Sequence, residues 1–475
     1  MNGPDSESAA PASSRRVLGV FTIAMFNVAA IVSLNNVSTL AELGLEAIFY
    51  LVVATVVFLL PAALVSAELA TGWTGGGGLY DWIKAALGPG WGFLGIWLFW
   101  CSYMILFPTI LSFVAASLAY LWNPSLAANK LYTLGVILVV TWTFTLANFR
   151  GMKISGWISS AGVVVGTLVP GGLIFVLGIL WLLIGEPSRV SFDPGNFLPN
   201  LGDLRNVVFL STVFFFFAGT EMSAVHAREV RNPSRHYPRA ILLSSSIIIV
   251  LYAAGTLAIA AVVPQKEISL AAGVMEAFTA FFAAYDLSWL VPPVALLLVF
   301  GGIGMLNALI IGPSKGLLVA AEDGNMPAFF QRVNEHRIPT HLLATQAVIV
   351  SLVSLVFLLE PTVNSSFYLL LALTTKLYLV VYILMMAAAV RLRYKAPEVE
   401  RAYRVPGGMG GIWVVAGTGI FAAVFAIITG FIPPAQIDTG STLAYEAFLV
   451  AGIFVFSVAG FAIYRYSRAS RSRKT

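Results

Sequence analysis

The stretch VFFFFAGTEMSAVHAREVRNP, Val213 to Pro233, begins as an apolar run fit for the middle of a bilayer. It then passes through Ala218, Gly219 and Thr220 to a carboxylate, Glu221, ahead of a histidine and a run of charge. A charged side chain at the centre of the hydrocarbon costs roughly 2.5–3.5 kcal/mol on insertion scales. Glu221 therefore reads as a group with a task, the plainer alternative being a structural partner for a neighbouring helix. Gly219 reads as the point where the helix gives way. Lipid offers no partner to a freed backbone N–H or C=O, so a break at this depth survives only against protein or a cavity.

The rest of the chain agrees with that setting. Its 475 residues are 59% hydrophobic and 10% charged, where soluble domains carry about 25% charge. The chain is an integral membrane protein. A span takes roughly 20 mostly apolar residues. Twelve segments qualify, near 17–41, 45–70, 91–121, 131–148, 156–184, 206–230, 238–263, 288–321, 341–359, 364–390, 412–432 and 445–466. The amphipathic stretch 267–284 is shorter and reads as a helix in a loop. The polar first sixteen residues lead into an apolar run too long for a cleavable signal, so the segments are expected to belong to the mature protein. The lone Cys101 lies within a span and excludes a disulfide within the chain.

Charge sets the orientation. Of the 27 Lys and Arg, only Lys130, Arg189, Arg205 and Lys266 fall outside when the spans alternate from an inside N-terminus, and Lys315 and Lys376 fall within spans. The positive-inside rule then predicts both termini in the cytoplasm of an inner (plasma) membrane, multi-pass protein. The net charge of +5 is a topology signal, and no nucleic-acid partner is expected.

The first span carries a matching oddity: Ser33, Leu34, Asn35 and Asn36 interrupt an apolar run, and Asn competes for backbone groups. A break there, opposite one at Ala218–Glu221, is the pattern of a secondary transporter built from inverted repeats. Interhelical hydrogen bonding is the competing reading for the two asparagines, and packing for Phe214–Phe217. Gly75–Gly78 lack the following Lys and Ser/Thr of a phosphate loop. Lys315 is placed to snorkel. Lys376, deeper, is open to three roles: pairing with Glu221, holding an anionic substrate group, or carrying a proton. All four histidines, His226, His236, His336 and His341, fall in or beside expected cytoplasmic stretches, and no HExxH occurs. Neither an intramembrane enzyme, a metal nor a cofactor is expected.

GTEMSAVHAREVRNPSRHYPRA from Gly219 resembles the sixth-helix signature of the amino acid, polyamine and organocation transporter superfamily, in particular its bacterial glutamate/GABA antiporter branch. AELATGWTGGGGLYDWIKAALGPGWGF from Ala67, VVPQKEISLAAGVMEAFTAFF from Val262, GPSKGLLVAAEDGNMP from Gly312, LRYKAPEVERAYRVPGG from Leu392 and PPAQI from Pro433 extend the resemblance along almost the whole chain. It implies an all-α protein of twelve transmembrane helices: a five-plus-five inverted repeat of the APC/LeuT type, helices 1 and 6 unwound, and two C-terminal helices. The expected division is a tail 1–16, repeats 17–185 and 205–391, helices eleven and twelve in 412–466, and a tail 467–475, too short for a folded cytoplasmic plug.

The resemblance also implies an amino-acid exchanger working by alternating access. Proton-coupled uptake is the alternative, and a sensor without transport a further one. By position the substrate, an amino acid or amine, would meet Ser33, Leu34, Asn35 and Asn36 on one helix and Phe217, Ala218 and Gly219 on the other, with Glu221 behind. Its side chain would be read by Tyr103, Asn307, Lys376 and Tyr382. Phe216 and Phe217 are expected to gate the outside, and Glu221 and Lys376 are the proton-coupling candidates. His226, Arg228, Glu229, Arg231, His236 and Arg239 read as an inner gate or, for most, a charged loop. Two positions depart from the branch: Lys376 stands where an apolar residue is expected and Met305 where an acidic one is. Whether the chain works as a homodimer in the bilayer is left open.

Overall fold

The computed structural model describes residues 19–472 except 74, 76, 150–161, 163, 192, 224–229, 231, 336–337, 435–436 and 438. Every regular element in this range is helical, the form in which a segment satisfies its own backbone in lipid. In chain order the elements are α1 (Val20–Ile31), α2 (Leu34–Ala41), α3 (Glu46–Gly72), α4 (Leu79–Leu87), α5 (Pro89–Ala119), α6 (Lys130–Asn148), α7 (Val165–Ile184), α8 (Phe209–Phe216), α9 (Thr220–Ser223), α10 (Pro233–Val262), α11 (Gly273–Ala284), α12 (Val291–Ala320), α13 (Thr340–Leu359), α14 (Val363–Lys395), α15 (Gly408–Thr429) and α16 (Thr442–Ser472).

Ten of the described helices are long and apolar enough to cross a membrane, and α1 with α2, which meet at 63°, make an eleventh. Within the segment expected as the sixth span, the described residues include α8, a non-helical turn at Phe217–Gly219 and the short α9. His226, Arg228, Glu229, Arg231 and His336 lie outside the described residues.

α5 and α14 form the middle of the bundle and are buried along almost their whole length, whereas α7 and α16 turn much of their apolar surface outward. Leu183, Val414, Phe421 and Phe454 are among the large side chains that face out, the surface a bilayer covers. α3 widens into a π turn over Thr55–Leu59 just before Pro61, whose missing N–H removes one rung of the regular ladder. α7 and α12 touch backbone to backbone: a Cβ on Gly166 would lie 2.2 Å from the Gly301 nitrogen. Small residues are what permit such an approach in lipid. The glycine-rich turn before α4 is filled from within, since the Gly77 N–H donates to the Asp81 carboxylate at 2.8 Å.

Candidate functional site

The two interruptions lie against each other. Val32 and Ser33 are extended between α1 and α2. Across from them Gly219 has φ +126°, and a Cβ there would stand 3.1 Å from the Ala30 carbonyl oxygen. Glycine is required at this position both for the backbone angle and for the approach. The Tyr252 hydroxyl, from α10, stitches the first break: it donates to the Ile31 carbonyl at 2.7 Å and accepts from Asn36 Nδ2 at 3.1 Å and the Ser33 N–H at 3.4 Å.

A cavity of about 190 Å³ opens between the breaks, smaller than the roughly 300–1,000 Å³ of sites for drug-sized ligands. Ser33, Asn35 and Asn36 line it from the first break and Phe215, Phe216, Ala218 and Gly219 from the second. Tyr103, Leu106 and Ile110 of α5, Met305 and Leu309 of α12 and Tyr378 of α14 close the sides. None of its described lining residues carries a charge. Asn35 is buried, yet its side-chain oxygen has no hydrogen-bond partner among the described residues. The leading N–H groups of α2 are uncapped by the Ser33 side chain. Ser33 Oγ lies 3.6 Å from the Met305 sulfur.

Behind this wall sits the carboxylate of the opening stretch. Glu221 accepts hydrogen bonds from the hydroxyls of Tyr378 and, at 2.5 Å, Tyr382. Tyr382 in turn accepts the Gly219 N–H at 3.1 Å, and Tyr103 and Tyr378 hydroxyls are 3.4 Å apart. A chain of tyrosines thus runs from the cavity wall through the carboxylate to the second break.

Other expected site residues stand apart. Leu34 lines a small adjoining pocket with Ile110, Phe113 and Met305. Phe217 is fully buried against the Tyr252 ring, 6.2 Å between centroids, while Phe216 faces the cavity. Asn307 accepts a hydrogen bond from Asn148 Nδ2 at 3.1 Å and ties α12 to α6. Lys376 points the other way from the cavity: its ammonium donates to the Gly430 carbonyl at 2.6 Å and lies 5.2 Å from the Phe431 ring centre. Helix geometry explains this, since Lys376 precedes Tyr378 by two residues, about 200° around a helix of 3.6 residues per turn. That spacing was available in the sequence. Phe215 lay within the run Phe214–Phe217 weighed as packing or gate, and it lines the cavity with Phe216; Tyr252 was missed, and its signal was a hydroxyl at membrane depth, which must find a partner.

Residues 18–456 match the model of the amino acid permease family. The chain belongs to that family. It is 43% identical over 443 residues to an uncharacterized transporter of Legionella pneumophila, covering 93% of this chain and 95% of that one. It is 31% identical over 457 residues to the glutamate/gamma-aminobutyrate antiporter of Lactococcus lactis subsp. lactis, covering 95% and 91%. To a polyamine transporter of Oryza sativa subsp. japonica it is 29% identical over 395 residues, covering 81% and 68%. This amino acid permease is therefore an amino-acid or amine transporter of the APC superfamily, near the glutamate/GABA antiporters.

Proposed function

We propose that the permease is an amino-acid exchanger working by alternating access, with the cavity between the two breaks as its substrate site. The observation that carries this is the buried Asn35 side-chain oxygen, without a partner among the described residues, beside the N-terminus of α2 in a cavity whose described lining carries no charge. The N–H end of α2 suits a carboxylate, and the C-terminal carbonyls of α1 and α8 suit an ammonium. An amino-acid zwitterion matches both. A polyamine fits less well, because its second ammonium would face Leu106, Ile110, Met305 and Leu309 with no charged partner among the described lining residues.

The remaining architecture belongs to the same reading: twelve spans with both termini in the cytoplasm, residues 17–185 and 205–391 as inverted repeats, and Phe216 as the aromatic that closes the outer side. Glu221 then holds the second break through Tyr382 and senses the cavity through Tyr378.

Counterflow in proteoliposomes tests it. Vesicles loaded with unlabelled amino acids should take up labelled glutamate, GABA or a neutral amino acid only against internal substrate. Uptake into empty vesicles driven by a proton gradient would replace exchange with proton symport. Binding without flux of any amino acid or amine would leave a sensor.

A further inference from the structure

At the end of the bundle where α4, α12, α14 and α16 converge, a cleft of about 530 Å³ is lined by Lys84, Lys395 and Arg468 against a single carboxylate, Asp323. That carboxylate is already engaged: it accepts from Lys84 and from the Tyr80 hydroxyl, at 2.5 Å, and both bonds hold it below the usual carboxylate range. Lys395 donates to the Ala85 carbonyl at 2.7 Å, and Arg468 lies 5.5 Å from the Tyr464 ring centre. Neither meets a carboxylate among the described residues, so two cations converge on the cleft with their charge unbalanced. Gly88 and Pro89, where the 31-residue α5 begins, form part of its wall.

Aromatic side chains of α5 and α16 continue from Tyr464, the ring beside Arg468. Trp91 is 48% exposed and meets Phe461 edge-on, and Phe93 stacks on Tyr464. An exposed tryptophan and a half-buried tyrosine beside an arginine are the side chains that mark headgroup depth in a membrane protein, and basic pockets between helices at that depth receive anionic headgroups.

We propose that this cleft binds the phosphate-bearing headgroup of an anionic phospholipid from the adjacent leaflet. Lys395 and Arg468 supply the charge, and Trp91 and Phe461 lie along the acyl chains. The site is remote from the substrate cavity and independent of what the carrier moves; in the proposed topology the leaflet is the cytoplasmic one.

The test is native mass spectrometry and thermal melting of the full chain in detergent, titrated with phosphatidylglycerol or phosphatidylcholine. Phosphatidylglycerol should be retained and should raise the Tm, and phosphatidylcholine should not. Lys395→Gln with Arg468→Gln should weaken phosphatidylglycerol binding roughly thirtyfold, from about two surface charges. Lys395→Arg with Arg468→Lys should retain it, which separates lost charge from misfolding. Equal retention of the two lipids, or an unchanged affinity in the uncharged double variant, overturns the proposal. Equal protection by inorganic phosphate or glycerol phosphate without lipid also overturns it, in favour of a soluble anion site.

Discussion

Glu221 shows how a single carboxylate is kept at membrane depth: two tyrosyl hydroxyls donate to it, and one of these also accepts the Gly219 N–H. Hydrogen bonds to a charged acceptor are worth about 1.5–3 kcal/mol each, enough to offset much of the insertion cost. Glu221→Gln keeps the shape but leaves one oxygen to accept where the carboxylate had two. Counterflow should fall at least tenfold while the Tm in detergent stays close to that of the parent; unchanged exchange by the folded variant would falsify the charged role. Tyr252→Phe should behave differently. It strips the Ile31 carbonyl and the Asn36 amide of their partner, and unsatisfied buried groups cost about 1–3 kcal/mol. Both the Tm and counterflow should drop, and a variant as stable as the parent would show that the first break does not depend on the hydroxyl.

Among the elements, the C-terminal end of α2 and the short helix α11 meet through acids. Burial, with Glu276 alongside, pushes the Glu42 carboxyl up to about 8, and burial raises Glu276 as well. Glu276 accepts the Ser269 N–H at 3.0 Å, Glu267 adds further negative charge, and Gly273 packs closely on Ser38. α11 thus lies on α2 with Glu42 protonated. Between the ordinary value of 4.5 and about 8, the folded protein keeps a proton that the unfolded chain releases. Stability from this group is therefore full below 4.5 and lost as pH rises to about 8. The Tm should fall over that window, and Glu42→Gln should flatten the fall by raising the Tm at pH 8 while leaving it unchanged near pH 4.5. An equal slope in parent and variant would assign the pH dependence elsewhere. Little of this packing was legible from the chain. The loop helix, the glycine at the second break and the asparagines after the first were all readable, because composition and backbone chemistry are local. The tertiary partners were not: nothing near Asn307 in sequence reveals Asn148, and nothing near Glu42 reveals Glu276. Lys376 was readable at the level of helix phase, and depth alone misled.

The molecule as a whole is tied at one end by a buried ion cluster. Glu68, near the end of α3, accepts from Arg393 Nε at 2.8 Å and Nη2 at 2.6 Å, and from the Val405 N–H at 2.7 Å, with Arg401 Nε at 3.6 Å. Arg393 closes the end of α14, donates to the Val405 and Gly408 carbonyls, and is only 8% exposed; Arg401 lies 4.9 Å from the Trp73 ring centre. One carboxylate therefore joins α3, α14 and the connection into α15. Removing one partner of a buried pair costs roughly 3–5 kcal/mol because the other charge is left without compensation. Glu68→Ala should lower the Tm more than Tyr252→Phe does. Adding Arg393→Met to Glu68→Ala removes one of the two cations left without the carboxylate, Arg401 being the other, and should recover part of the loss, since apolar replacement of buried ion pairs is often neutral. Additive losses in the double variant would mean that Arg393 contributes through Val405 and Gly408 rather than through the carboxylate, and would relocate the tie to the connection itself.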